Sequence, residues 1–255
     1  PNVVCWPWEN HGWERAFCRL ARRLDIRTIG YQHTVVGPHQ FNYAATSNYD
    51  GGDSIPDIVA CDGPAYRDEL AAWGMPIERL RILGALRFTR PRHNSYSEAG
   101  PVFVPLSAMS LAAQVQLAAA KRFAEAGYRV VVKEHPMYPV SFVETENLHR
   151  TETPLKDMTA VRMVLFASGA SGLEAVLAGL PAVRIQTGTF ISINVLPAFI
   201  RVPTATLETL DLIIAELPTP QSVSWDDVLS EPDLEGWKAL LSGDIEPREK
   251  FAGDS

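Results

Sequence analysis

Cysteine is scarce in this chain of 255 residues, and the three cysteines that it has lie far apart. Cys5, Cys18 and Cys61 are odd in number and do not follow the spacings of a disulfide framework or a zinc site. Disulfide-rich secreted domains and zinc-stabilised folds are therefore excluded, and the free thiols indicate a reducing compartment. We expect neither a metal nor another cofactor.

Long hydrophobic runs and a leader segment are also lacking. No apolar stretch approaches the roughly 18 residues that a membrane-spanning helix needs. The chain runs straight into "NVVCW" without the basic residues that open a signal peptide. We therefore expect a cytoplasmic protein. The chain has no initiator methionine and starts inside a predicted strand, so we also expect a piece of a longer protein with a truncated N-terminal domain.

Basic charge is low, because 23 lysines and arginines face 30 acidic residues and the net charge is −7. A nucleic-acid partner, which selects a basic face, is therefore not expected. The sequence also lacks a G-x-x-x-x-G-K-[ST] phosphate loop, a G-x-S-x-G nucleophile elbow, an H-E-x-x-H metal pair and a G-x-G-x-x-G dinucleotide fingerprint. These absences argue against P-loop ATPases, α/β-hydrolases, zinc proteases and NAD enzymes.

What the chain does contain is a regular alternation of short apolar runs and helical patterns. Continuously apolar strands separated by helices predict parallel sheets covered on both faces. The predicted strands are "NVVCW", "RTIGYQH", "PDIVAC" and "LRIL", and then "PVFVPLS", "YRVVVKE", "RMVLFAS" and "PAVRI". Residues 88–100 between the two arrays are polar and aperiodic, which predicts a linker.

The predicted fold class is therefore α/β, with two Rossmann-like domains. We place an N-terminal domain at residues 1–92, a C-terminal domain at residues 93–203 and a helical tail at residues 204–255. In open parallel sheets, ligands bind at the carboxyl ends of the strands. Polar residues at those ends are consequently the first candidates for a site.

The stretch "LFASGASGLEAVLAGLP" at residues 165–181 is the most informative. A buried strand is predicted to end at Ser168, and a helix begins near Ser171 after a turn of small residues. The N-terminus of a helix offers unpaired N–H groups and a partial positive charge, which suit a phosphate. Gly169 and Gly172 would let a ligand approach the backbone closely.

Glu174 follows this turn and is predicted to lie in the first turn of the helix. Its carboxylate could there accept hydrogen bonds from ribose hydroxyls. The alternative is an ordinary capping box, in which Glu174 bonds back to Ser171.

A second candidate stretch is "VVVKEHP", where a buried strand stops at Lys133, Glu134, His135 and Pro136. His135 could donate to a phosphate oxygen, Lys133 could neutralise its charge, and Pro136 would fix the loop. This strand precedes the strand that ends in the serine–glycine turn, so both sets of groups are expected to converge on one crevice. The alternative is ordinary loop chemistry.

Candidate catalytic residues lie after the first two strands, at Glu9 and His33. A carboxylate or an imidazole there could act as a general base that removes the proton from an acceptor hydroxyl. The alternatives are a helix-entry charge for Glu9 and a satisfied buried histidine for His33.

The helix after the first strand carries four arginines opposite Phe17, Leu20 and Leu24. Such a pattern is typical of a solvated polar face, and the alternative is a peripheral contact with a membrane or with an anionic lipid-linked acceptor. The arginines are Arg15, Arg19, Arg22 and Arg23.

These motifs together resemble a known family. A K-x-H-P after one strand and "SGASGLEAVLAGLPAV" after another resemble the donor half of GT-B glycosyltransferases that build bacterial surface polysaccharides, including sialyltransferase-like and Kdo-transferase-like groups. The segments "ENHGWERAF" and "GYQHTVVGPHQFNY" are similar to bacterial surface carbohydrate biosynthesis proteins. The acidic-acidic-glycine signature, which supplies the base in many sialyltransferase-like enzymes, is not found here.

The resemblance implies a metal-independent glycosyltransferase with a nucleotide-sugar donor, CMP-sugar being favoured, and a surface glycan or lipid-linked acceptor. His135, Pro136, Ser168 and Ser171 would hold the nucleotide, with Lys133, Gly169, Gly172 and Glu174 nearby. Glu9 would be the base, with His33 as the second choice, and closure around residues 88–100 would exclude water. The alternatives are a glycerophosphotransferase, a sugar-nucleotide epimerase or a non-catalytic binding module on the same fold.

Overall fold

The computed structural model describes residues 2–91, 95–188 and 193–242 and divides into two compact α/β units. Within these ranges, the first unit comprises residues 2–33, 42–87 and 229–242, and the second comprises residues 34–41 and 88–228. Each unit is built on a parallel sheet, which confirms the predicted α/β fold class. The predicted domain boundary at residues 92 and 93 lies outside the described residues.

The strands and helices of the described ranges follow the predicted alternation. The strands are β1 (Val3–Pro7), β2 (Arg27–Tyr31), β3 (Ile58–Cys61), β4 (Leu80–Ile82), β5 (Val102–Pro105), β6 (Val130–Lys133), β7 (Leu148–Arg150), β8 (Met163–Phe166), β9 (Ala182–Ile185) and β10 (Thr204–Ala205). The helices are α1 (Gly12–Arg23), α2 (Pro64–Ala72), α3 (Ser110–Glu125), α4 (Ala170–Leu177), α5 (Leu210–Ala215), α6 (Trp225–Val228) and α7 (Leu234–Ser242).

The first unit has four parallel strands in the order β1-β2-β3-β4. Helix α1 connects β1 to β2, and α2 connects β3 to β4. Ile29 and Ile58 on one face of the sheet are buried together with Trp237 and Leu240 of α7. The last helix of the described residues therefore completes the core that the first strands begin.

The second unit has six parallel strands in the order β10-β9-β8-β5-β6-β7. Its core is continuous and apolar around Val102, Val130 and Met163, and α3 packs Phe123 against it. Strand β7 lies in a stretch that the sequence predicted as loop. It has three residues, Leu148–Arg150, of which only Leu148 is buried, so it gives no hydrophobic period.

Helix α1 faces the opposite way to the prediction. Trp13, Leu20 and Leu24 are 63%, 54% and 61% exposed, whereas Glu14 and Cys18 are buried. The hydrophobic period identified the helix correctly but did not show which face turns inward.

The polar face of α1 is bonded to the short 3₁₀ turns that precede β3, so the arginine face is not simply solvated. The Arg15 guanidinium donates to the carbonyl oxygens of Asn10 and Ser47. Arg22 lies 3.0 Å from a carboxylate oxygen of Asp57, and Arg19 lies 3.6 Å from Asp50, in both cases N to O. Arg23, the fourth arginine, is exposed. The membrane contact remains a prediction.

The predicted C-terminal tail divides between the two units. Strand β10 pairs with β9, and residues 204–228 belong to the second unit, whereas α7 belongs to the first. Residues 243–255 lie outside the described part of the chain.

Among the helices of the described ranges, none combines the length and the apolar character that crossing a bilayer requires.

Candidate active site

A pair of serine hydroxyls lies at the carboxyl edge of the second sheet. The Oγ atoms of Ser107, after β5, and Ser168, after β8, are 2.9 Å apart, and the Met109 N–H donates to Ser107 Oγ over 3.1 Å. Strands β5 and β8 are neighbours, so the pair bridges the ends of two adjacent strands. One hydroxyl donates to the other, so the pair keeps one O–H that can donate to an oxyanion.

A buried glutamine on α3 fixes one side of this pair. Gln116 Oε1 accepts from the Ser107 N–H over 2.8 Å, and Gln116 Nε2 donates to the carbonyl oxygen of Pro105 over 2.7 Å. The side chain has no exposed surface, so its amide is committed to the end of β5. Ser107 is therefore held by its backbone as well as by its hydroxyl.

The turn after Ser168 leads into α4 with open space beside it. Gly169 is the N-cap of α4, and its φ of +124° lies where L side chains are strained. A Cβ on Gly169 would meet no atom within 4 Å, so a ligand could approach the backbone here. The first N–H groups of an α-helix lack i−4 partners, and at α4 the Gly172 N–H donates to the carbonyl oxygen of Gly169 over 3.4 Å, which leaves the N–H groups of Ala170 and Ser171 as the candidates for a ligand.

The observed start of α4 differs from the prediction in the position of Glu174 and in the residue that caps the helix. The helix begins at Ala170, so Glu174 is exposed in the second turn and not in the first. The N-cap is a glycine without a side chain, so the predicted serine cap and its capping box are not the device that starts the helix. Ser171 is half-buried in the first turn.

Gly172 serves packing. A Cβ at this position would lie 2.4 Å from two ring carbons of Phe166, which is fully buried at the end of β8. The glycine lets α4 lie directly on the sheet and thereby sets the position of the turn.

Gly172→Ala is expected to destabilise the second unit by about 1–3 kcal/mol, because an added methyl in a tight contact forces ring and helix apart. Urea unfolding measures the effect, with Gly12→Ala at the start of α1, where a Cβ would meet no atom within 4 Å, as the control for glycine loss alone. Equal losses in both variants would show that the ring contact does not matter.

The His135 loop is a tight turn after β6. The Tyr138 N–H donates to the carbonyl oxygen of His135 over 3.0 Å, and the Met137 N–H donates to His135 Nδ1 over 3.3 Å. Because Nδ1 accepts, the neutral imidazole carries its proton on Nε2. The exposed Pro136 holds the corner. His135 can therefore present one N–H donor away from the turn.

Lys133 and Glu134 are directed to the neighbouring β7 side. Lys133 Nζ donates to the carbonyl oxygen of Glu152 over 3.0 Å, and Glu134 accepts from Arg150 over 2.8 Å. Their placement differs from the expected convergence, because β5 lies between β6 and β8. The ends of β6 and β8 are two strand spacings apart, roughly 10 Å. Ser107 occupies the intervening strand end.

In the first unit, a carboxylate lies between two imidazoles at the carboxyl ends of β1 and β2. Glu9 Oε2 is 2.8 Å from His11 Nε2, and Glu9 Oε1 is 3.5 Å from His33 Nε2. Glu9 and His33 are about one-third exposed, at 35% and 29% of their side chains. The structure therefore brings the two predicted catalytic residues together, and a substrate hydroxyl can reach them.

The backbone around Glu9 is fixed by Glu14, a buried residue that the sequence analysis left unassigned. Its carboxylate accepts from the N–H groups of Glu9 and His11 and from Trp6 Nε1. The Asn42 side-chain amide donates to the carbonyl oxygen of Glu9 over 2.6 Å. The sequence feature that indicates this role of Glu14 is the H-x-x-E spacing from His11 to Glu14, because a glutamate at the third position of a helix can form a capping box.

A second unassigned group is Asp62, which directly follows β3 and has no exposed surface. Its carboxyl group interacts with the Tyr31 hydroxyl, and the buried His33 Nδ1 has no hydrogen-bond partner among the described residues. Continuing the strand registers by two residues places Glu9, His33 and Asp62 at one level on β1, β2 and β3. Burial raises the pKa of Asp62 to about 7, against smaller lowering effects of the Tyr31 hydroxyl and the Arg87 charge.

The described residues contain no group of three or more His, Cys, Asp or Glu side chains arranged to hold a metal ion. Metal independence remains a prediction.

Known proteins match this chain in fold and not in sequence. No family profile and no curated protein gives a match. The structure of the kitacinnamycin glycosyltransferase aligns with a TM-score of 0.50 at 12% identity, over 95% of this chain and 67% of its own. CalG4, the calicheamicin glycosyltransferase, aligns with a TM-score of 0.50 at 17% identity, over 82% and 62%. The fold is of the GT-B type.

A UDP-N-acetylglucosamine 2-epimerase from Rickettsia bellii also aligns, with a TM-score of 0.47 and 17% identity over 73% of this chain. The chain spans only 56% to 67% of the length of these three structures. At 12% and 17% identity, the likeness to the two glycosyltransferases shows the fold alone, and the activity has to be argued from the residues.

Proposed function

We propose that this chain is part of a metal-independent GT-B glycosyltransferase that moves a sugar from a CMP-activated donor to a surface polysaccharide or glycolipid acceptor. The observation that carries the proposal is the Ser107–Ser168 hydroxyl pair directly before the glycine-capped start of α4. Two hydroxyls, unpaired helix amides and open space beside Gly169 are the features that a phosphate selects.

In this proposal the second unit holds the donor phosphate. The hydroxyl of Ser168 and the first amides of α4 donate to the phosphate oxygens, and Nε2 of His135, two strand spacings away, donates to another part of the nucleotide. These groups stabilise the charge that develops when the bond between the anomeric carbon and the phosphate oxygen breaks. They do so with fixed dipoles, which is why no metal is needed.

The choice of CMP rests on charge as well as on the motif resemblance. The groups at this edge are neutral donors, and Lys133 is bonded to Glu152. A CMP-sugar carries one charged phosphate group, whereas a UDP-sugar carries two. Neutral donors with one helix N-terminus suit the smaller charge.

The first unit would accept the proton in this scheme. The acceptor oxygen forms the new bond to the anomeric carbon, its proton passes to the Glu9 carboxylate, and CMP leaves with the electron pair of the broken bond. His11 and His33 hold the two carboxylate oxygens in place.

Calorimetry against CMP, CDP, UDP and GDP tests the donor site. We expect CMP to bind most tightly, and we expect His135→Ala and Ser168→Ala each to weaken CMP binding about tenfold, because each removes a hydrogen bond to a charged group. His149→Ala on β7 and Thr204→Ala on β10 are the matched controls and should bind as the parent does.

A UDP-selective response lost in the same variants would overturn the CMP assignment and keep the phosphate site. No response to any nucleotide by a chain that unfolds cooperatively would remove the donor site, and a non-catalytic module would then be the better description.

A further inference from the structure

The backbone pairing of β5 with β8 stops before either strand ends. The last pair of this ladder is Phe103 with Val164, although both strands continue toward the serine pair. Continuing the register places Ser107 directly opposite Ser168. The two hydroxyls therefore lie at one level on neighbouring strands, beyond the point where backbone hydrogen bonds hold these strands together.

The other edge of β5 shows which hydrogen bond is missing. There Pro105 lies opposite Lys133, and the N–H of the next residue, Leu106, donates to the carbonyl oxygen of Lys133 over 2.9 Å. By the same pattern, Leu165, which the register places opposite Val104, would accept from the N–H of residue 105. Proline has no N–H, so the ladder between β5 and β8 cannot continue.

The side chain of Gln116 supplies the missing donor. Its Nε2 donates to the carbonyl oxygen of Leu165 over 3.4 Å as well as to that of Pro105 over 2.7 Å. Gln116 is the one polar residue among the buried residues of α3, a helix that the structure describes throughout. A buried amide is costly unless its polar atoms are bonded, and this amide is bonded to the ends of both strands.

We propose that Gln116 is the positioning residue of the phosphate site. Its amide takes the place of the N–H that Pro105 lacks, and the resulting bridge sets the separation of the two serine hydroxyls. The Oγ atoms of Ser107 and Ser168 are 2.9 Å apart because the bridge holds the strand ends together. The identity of the ligand, a nucleotide phosphate, rests on the function proposed above, whereas the separation of the hydroxyls does not.

A disulfide trap measures this separation without any ligand. Ser107→Cys/Ser168→Cys, in a Cys5→Ser background that removes the exposed thiol, is expected to form an internal disulfide on mild oxidation. Adding Gln116→Met is expected to slow this reaction at least about tenfold in the folded chain, because the strand ends lose the amide that joins them. Gln114→Met, at an exposed glutamine of the same helix, is the matched control and should leave the rate unchanged.

Restoring the backbone donor distinguishes a positioning role from mere packing. Alanine has an N–H, so adding Pro105→Ala to the Gln116→Met chain should raise the rate again by at least about threefold, since one neutral hydrogen bond is regained. A residue that only fills space in the core would not be rescued in this way. If Gln116→Met does not fold, Gln116→Asn takes its place, because it keeps the amide but shortens its reach by one methylene.

Calorimetry with CMP measures the consequence for the ligand. In the parent chain with both serines in place, we expect Gln116→Met to weaken CMP binding about tenfold, because the hydroxyl pair no longer has its fixed spacing. Adding Pro105→Ala should recover part of the affinity. CD spectra and urea unfolding of each variant show that the measured chain is folded.

An unchanged rate of disulfide formation in a folded Gln116→Met chain would overturn the positioning role. So would a slow rate that Pro105→Ala fails to raise, an unchanged CMP affinity in Gln116→Met, or the absence of the disulfide while Gln116 is present. A parent chain that binds no nucleotide, but whose disulfide trap depends on Gln116 as expected, would refute the proposed function and support the positioning role.

Discussion

Glu9→Gln is expected to lower the rate of sugar transfer by at least about a hundredfold, because a side-chain amide cannot take the proton of the acceptor hydroxyl. Glutamine has the same size and can keep the contacts to His11 and His33, so the loss would reflect the base and not the fold. Nucleotide affinity should be unchanged, since the donor groups belong to the second unit.

Initial rates with a nucleotide-sugar and an acceptor, together with calorimetry of the nucleotide, measure this prediction. Glu78→Gln, at an exposed glutamate, is the matched control and should retain the parent rate. A Glu9→Gln variant of normal rate, combined with an inactive His33→Gln, would transfer the role of base to His33. Conversion of the nucleotide-sugar into its epimer without any acceptor would indicate an epimerase and would contradict glycosyl transfer.

Asp62→Asn is expected to remove a large pH dependence of stability and to raise the free energy of unfolding at pH 8 by about 2 kcal/mol. Burial raises the pKa of the Asp62 carboxyl from its ordinary value of 3.8 to about 7 in the folded chain. Ionising this buried carboxyl at high pH therefore costs up to about 4 kcal/mol of folding free energy. Desolvation of the asparagine amide offsets part of the gain.

The sign of this pH dependence follows from the number of protons that the folded and unfolded chains bind. Between about pH 4 and pH 7 the folded chain keeps the Asp62 proton while the unfolded chain has released it, so stability falls as the pH rises through this window and levels off above it. Urea titrations at several pH values measure the slope for the parent, Asp62→Asn and the exposed control Asp68→Asn. The same slope in the parent and in Asp62→Asn would show that Asp62 is not the group responsible.

The strands of the fold could be predicted because their apolar runs are continuous and end at turn-forming residues. Strand β3, for example, lies between Pro56 and Gly63. The orientation of α1 could not be predicted, since a period of 3.6 residues defines a stripe but not the side that turns inward. The loop at Asp50 to Asp57 decides it by bonding Arg19 and Arg22. Electrostatic contacts between distant segments leave no local pattern.

The candidate site was predicted only in part for the same reason, because contacts between distant segments leave no local sequence pattern. Ser168 was predicted because strand, glycine turn and helix are consecutive in the chain, whereas its partner Ser107 precedes it by 61 residues. Sheet order, which places β5 between β6 and β8, is a tertiary property and separates the His135 turn from the serine pair. Asp62 was missed because an aspartate before a glycine is typical of a turn, and only its burial gives it significance.

The return of α7 to the first unit matters for anyone who wishes to recombine this protein with relatives. Residues 88–228 of the second unit form one stretch of the chain that could be exchanged as a cassette, provided that the 34–41 segment travels with it. The first unit cannot be moved in this way. Its opening strands depend on Trp237 and Leu240, so a chimera that replaces the C-terminus inherits a foreign core at the opposite end of the chain.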